Sequence, residues 1–208
     1  NSTIEAGVTI GYDKQQSRIG SFAGSFNGTI TNCTSNANVY GVDMVGGIAG
    51  ARGNSMSVGT IDGCTFGGSV TATGTYAGGI SGAGYDGLGW GLASAPNAKW
   101  STFTNNTVTG DVAGVSRVGG ILGGEGAVYQ CWDNGAGSIS NNVVTGAVTG
   151  QTEVGAVIGF LASLDRYTTV ENNTYAFTSA EKGFGRVEWV DTSCASAATV
   201  EGTTYLNS

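Results

Sequence analysis

Seven side chains suited to holding a ligand crowd into two glycine-rich stretches of this sequence. Tyr85, Asp86, Trp90 and Trp100 lie in 83–102, and Tyr129, Trp132 and Asp133 in 124–138. A Tyr or Trp ring offers its apolar face to a sugar ring, while carboxylates beside it hydrogen-bond the hydroxyls at the edge. Such a set binds. Cleavage needs more: a glycoside-cutting pair of carboxylates must sit at a fixed separation, and nothing in the sequence fixes one among Asp86, Glu125 and Asp133. The fifteen acidic residues are otherwise scattered, and there is no histidine, the commonest general base. No catalytic residue is assigned. The competing reading of the rings is that they roof over and shield whatever core lies beneath them.

The elements that must position these stretches are written as repeats. The hexapeptide VGGIAG at 45–50 returns as AGGISG at 77–82, VGGILG at 118–123 and VGAVIG at 154–159, with a looser IGSFAG at 19–24. A second motif follows each copy: ITNCTSNANV at 30–39, IDGCTFGGSV at 61–70, FTNNTVTGDV at 103–112, ISNNVVTGAV at 139–148 and VENNTYAF at 170–177. From the first apolar residue of this motif to the next hexapeptide the distance is 15, 16, 15 and 15 residues. From the last hexapeptide glycine to that same residue it is 6, 11, 21, 16 and 11. One half of the unit is constant and the other takes all the variation.

Self-similarity of this kind marks stacked repeats that bury together what none can bury alone. Each unit offers three short apolar-alternating segments bounded by Gly, Asn or Thr, which predicts strands. The fold class is therefore all-β: a β-solenoid of about five turns, starting near 19, 45, 77, 118 and 154. Glycines would allow tight corners and close backbone contact. Insertions that leave a stack intact must leave at one corner, so 83–102, 124–138 and 160–169, the last carrying Tyr167, are expected on one side. Residues 1–16 predict an incomplete preceding turn, with further repeats or another domain before Asn1. The charged 178–208 segment predicts a C-terminal cap, so the division is 1–177 solenoid and 178–208 cap.

Asn32, Asn105, Asn141 and Asn172 share one repeat position, with Gly63 in the second copy. The next holds Cys33, Cys64, Asn106, Asn142 and Asn173. Stacked amides predict a hydrogen-bonded ladder along the axis. Cys33 and Cys64 fall one rung apart, within bridging distance but with parallel Cβ vectors. Buried free thiols are the preferred arrangement, a disulfide the alternative. Cys131 and Cys194 pair only if the tail folds back. With no C-x-x-C and no histidine, neither a zinc site nor any cofactor is expected.

Composition narrows the partners. The net charge is −7 and no basic stripe exists, which argues against nucleic acid and anionic membrane. No apolar run approaches the roughly 20 residues that a membrane-spanning helix needs.

The V-G-G-I-x-G and I-x-N-C-x-x-x-G-x-V-x-G patterns together resemble the GLUG repeat over roughly residues 17–177. The resemblance implies an exported, extracellular or cell-surface bacterial protein of adhesin type, whose repeats are not its catalytic part. Its expected partners are a host or cell-wall glycan or protein, and neighbouring domains of a larger chain. The expected role is structural and adhesive presentation. A carbohydrate-binding module using the loop aromatics is the alternative, and a polysaccharide-cleaving β-helix enzyme the third.

Overall fold

The computed structural model describes residues 1–11, 16–53, 59–84, 101–125, 137–161, 167–176, 179–180, 182–187, 199–201 and 204–206. Regular structure among them is short parallel β-strand, with no helix. Each full turn adds one strand to each of five sheets. In the second full turn Thr60–Asp62 joins the first sheet, Thr65–Phe66 the second and Ser69–Ala72 the third. Thr75–Gly78 then joins the fourth and Ser81–Ala83 the fifth. The chain is a β-solenoid.

The hexapeptides stack in register: Ile19 beside Val45, Val45 beside Ala77, Ala77 beside Val118, and Val118 beside Val154. The sequence predicts one strand from each copy, and the structure makes two. Val45–Gly46 belongs to the fourth sheet and Ala49–Arg52 to the fifth, with Gly47 and Ile48 forming the corner. The two strands fold back until backbone faces backbone. A Cβ on Gly50 would lie 2.5 Å from the carbonyl carbon of Arg18, and one on Gly82 would lie 2.5 Å from the backbone nitrogen of Val45. Neither glycine has a positive φ, so the requirement there is space and not backbone freedom.

Left-handed residues mark two other places in the turn. Between the first and second sheets stand Asn32, Gly63, Asn105, Asn141 and Asn172, with φ between 52° and 62°. Asparagine and glycine are the types that tolerate this region best. Immediately before each hexapeptide stand Arg18, Met44, Tyr76, Arg117 and Glu153, with φ between 54° and 65°. Long side chains rarely adopt that conformation, and the sequence carries no sign of it.

The core is a set of like-on-like columns along the axis. Ile61, Phe103 and Ile139 stack from the first sheet, Phe66, Val108 and Val144 from the second, and Ile80, Ile121 and Val157 from the hexapeptide corner. All nine are fully buried. Each such burial contributes about 1.5–3 kcal/mol, set against the entropy of ordering so glycine-rich a chain.

The ladder runs past the visible repeats at both ends. Thr3–Ile4 and Thr9–Ile10 pair with Thr34–Ser35 and Asn38–Val39, forming the incomplete first turn. Beyond 178, Phe184–Val187 pairs with Ile158–Leu161, Thr199–Glu201 with Thr169–Glu171, and Thr204–Leu206 with Thr174–Ala176. Gly185 takes the place of a final hexapeptide glycine, since its Cβ would fall 2.6 Å from the backbone nitrogen of Val154. Pattern matching stops at Phe177 because only this glycine survives from the motif, while strand pairing needs just the backbone.

Candidate functional site

Through the full turns, the connections that vary widely in length all join a fifth-sheet strand to a first-sheet strand. The strand ends are Phe26 to Thr29, Arg52 to Thr60, Ala83 to Thr102, Glu125 to Gly137, Leu161 to Tyr167 and Val187 to Thr199. The insertions therefore leave and re-enter the solenoid at one corner, as their spacing implies. The candidate ligand residues Tyr85, Asp86, Trp90, Trp100, Tyr129, Trp132 and Asp133 lie outside the described residues, as do Cys131 and Cys194. What the structure fixes is the platform from which they depart.

That platform is polar and buried. Arg52 and Glu125 are each only 1% exposed, and Ser101 is fully buried. Their hub is Gly84. Its carbonyl oxygen accepts from Arg52 Nε at 3.0 Å and from Ser101 Oγ at 2.6 Å, while its N–H donates to the Gly124 carbonyl at 3.0 Å. A side chain on Gly84 would overlap the Glu125 carboxylate, which lies directly over its Cα. Ser101 thereby ties the end of the longest insertion to its beginning. Sequence reasoning counted Glu125 among the loop-side acids, but Arg52 and Ser101 were missed. Their only signal was position, at the last residue before one insertion and the last residue of another.

A second polar row runs inside the solenoid. The ladder expected of Asn32, Asn105, Asn141 and Asn172 is made instead by the next position. Asn106 Nδ2 donates to Asn142 Oδ1 at 3.1 Å, and Asn142 Nδ2 to Asn173 Oδ1 at 2.8 Å. The backbone N–H groups of Asn106 and Asn142 donate to the same two oxygens. The amides also reach back one turn, Asn106 to Ile61 O, Asn142 to Phe103 O and Asn173 to Ile139 O. All three asparagines are fully buried. The preceding asparagines turn the corner instead and face outward, as the left-handed backbone there requires.

Cysteine continues this row in the first two turns. Cys64 N–H donates to Asn106 Oδ1 at 2.9 Å, and Cys33 N–H to Cys64 Sγ at 3.5 Å. Cys64 Sγ lies 3.7 Å from Ile30 O, where an asparagine amide would donate. Both thiols are free and buried. Burial raises the Cys64 thiol above its ordinary pKa, outweighing the hydrogen bond from Cys33, so it is a packing residue and a poor nucleophile.

A charged cluster decorates the fourth and fifth sheets. Glu153 accepts from Arg117 Nε at 2.9 Å and from Arg186 Nη1 at 3.0 Å. Arg117 also donates to the Tyr76 hydroxyl, and its guanidinium lies 4.1 Å from the Phe160 ring centroid and 4.9 Å from that of Tyr76. Partial burial would raise the Glu153 pKa, but the hydrogen bonds from Arg117 and Arg186 outweigh it and hold the carboxyl below its usual range. Burial likewise pushes the Tyr76 phenol up, against the pull of Arg117. A carboxylate held ionised between two guanidiniums neither donates nor takes a proton near neutral pH. The cluster clasps successive turns.

Among the described residues no three His, Cys, Asp or Glu side chains gather as metal ligands would. Compared with family models, with curated proteins and with solved structures, the chain matches none. The site must be read from its own geometry.

Proposed function

We propose that this chain is a non-catalytic presenting module: a stiff β-solenoid that displays a set of variable insertions along one corner for contact with a ligand. The observation that carries this reading is the restriction of length variation to the connections between fifth and first sheets, while the other corners keep their spacing through the full turns. A chain holding four corners constant and varying one behaves as a scaffold with a variable face. The buried Arg52, Ser101, Gly84 and Glu125 platform supports it, because buried hydrogen bonds fix where an insertion starts and ends.

The ligand class that suits the insertions is a glycan, on the strength of Trp90, Trp100 and Trp132 beside Asp86 and Asp133 in the sequence. Placement outside a bacterial cell, in an adhesin-type surface chain, is supported by the likeness of the repeats to the GLUG pattern alone. The test replaces residues 85–100 with a two-residue link, leaving four residues between Ala83 and Thr102 against the two between Phe26 and Thr29. We expect an unchanged β-rich circular dichroism spectrum and a cooperative melt within a few degrees of the parent. On a glycan array, spots bound by the parent should be lost by this variant and by Trp90→Ala with Trp100→Ala. Binding that survives both changes would sink the glycan assignment, and collapse of the fold would sink the scaffold reading.

A further inference from the structure

Among the described residues the third and fourth sheets end one turn before their neighbours. In earlier turns 13 or 14 residues separate the second-sheet strand from the fifth-sheet strand, as between Val143–Val144 and Ile158–Leu161. In the last such turn only seven, 177–183, separate Thr174–Ala176 from Phe184–Val187. The crossing is pinned at both ends, by Val148 N–H to Ser179 O at 2.8 Å and Ala156 N–H to Lys182 O at 2.7 Å. Between those bonds Thr149 to Gly155 forms an edge with no strand above it among the described residues. A groove of about 450 Å³ results, with Thr149, Gln151, Thr152 and Val154 on one wall and Ala180 and Lys182 on the other. One column records what is missing. Val45, Ala77 and Val118 are fully buried by the turn above them, whereas the equivalent Val154 is left partly exposed.

We propose that this notch takes an extended peptide of about six residues, which adds in parallel as the absent strand pair. An open edge offers a backbone template. Its neighbours are all parallel, which sets the orientation. The chemistry of the occupant follows from the walls. Exposed Thr149, Gln151 and Thr152 suit a Gly-, Ser- and Thr-rich segment, and Val154 calls for a small apolar residue above it. Glu153 at the groove is already matched by Arg117 and Arg186, and Lys182 on the other wall disfavours a basic occupant. This site lies at a different corner from the insertions and does not depend on their ligand.

The probe is a labelled, end-blocked peptide with the sequence of residues 148–155 carrying Gln in place of Glu, followed by fluorescence anisotropy on the full chain. Saturable binding is expected, with affinity reduced about tenfold by Thr152→Lys, which places a charge on the edge. A variant whose 177–183 crossing is lengthened by the six residues of 114–119 should fold and lose binding, because its own chain fills the notch. The proposal is overturned by absent saturation at about 1 mM peptide, by equal binding of a scrambled peptide, or by undiminished binding to the lengthened variant. Sedimentation showing concentration-dependent self-association that Thr152→Lys abolishes would also overturn it, by making a second copy the occupant.

Discussion

Adjacent asparagines in this chain have opposite duties, and the difference is energetic. Asn142 is buried, accepts from Asn106 and donates to Asn173 and Phe103, whereas Asn141 turns a left-handed corner in the open. Asn142→Ala removes the acceptor of two donors and the donor of a buried carbonyl, so it should cost about 2–4 kcal/mol. Asn141→Gly keeps the left-handed corner and should stay within about 0.5 kcal/mol of the parent. Urea unfolding of the two variants checks both, and equal destabilisation would remove the distinction between corner and ladder. Glu153 makes a pH prediction. Its pKa is lowered in the folded chain, so the stability it contributes is present above the ordinary glutamate pKa and is lost as pH falls through the lower folded value. Because Arg117 and Arg186 are 31% and 55% exposed, the gain is modest, under about 1 kcal/mol. The melting temperature of Glu153→Gln should lie below the parent at pH 7, and the gap should narrow as pH falls below the ordinary glutamate range.

At the scale of the element, the glycine-framed hexapeptide is a corner between two strands that lie face to face. Gly82→Ala places a methyl group against the backbone of Met44 and Val45, where no side chain can yield, and should destabilise by about 3 kcal/mol or more. Gly28→Ala has nothing within 4 Å and should be neutral or slightly stabilising. Thermal melts of the pair separate a steric demand from a general intolerance of substitution. The repeats legible in the sequence gave the vertical register correctly, because stacked like residues bury one another. They did not reveal five strands per turn, because the left-handed Asn and the Arg, Met, Tyr and Glu before each hexapeptide break strands without altering the apolar pattern.

For the whole molecule, stability should grade along the axis, since each turn rests mainly on its neighbours. The interior turns carry fully buried residues such as Ile80 and Ile121, while in the first strands, Thr3–Ile4 and Thr9–Ile10, the threonines are exposed and the isoleucines only half-buried. Hydrogen exchange should therefore be slowest at Ile80 and Ile121 and fastest at residues 3–10. Uniform protection from end to end would contradict nearest-neighbour stacking. The same stacking makes the insertions tolerable, because a loop that leaves and returns at one corner breaks no ladder bond.

The sequence by itself determined the solenoid class, the register of its rungs and the single corner where insertions collect. These depend on periodic apolar residues and on counting, which are local and linear. Only the tertiary structure decided which asparagine of each pair faces inward, how Arg52, Ser101, Gly84 and Glu125 meet, and that among the described residues the third and fourth sheets end at Val148–Thr149 and Thr152–Gly155. Each of those depends on which way a backbone turns and what then lies across from it. Residues from different turns, 17 to 45 apart in the chain, become neighbours only when the coil closes.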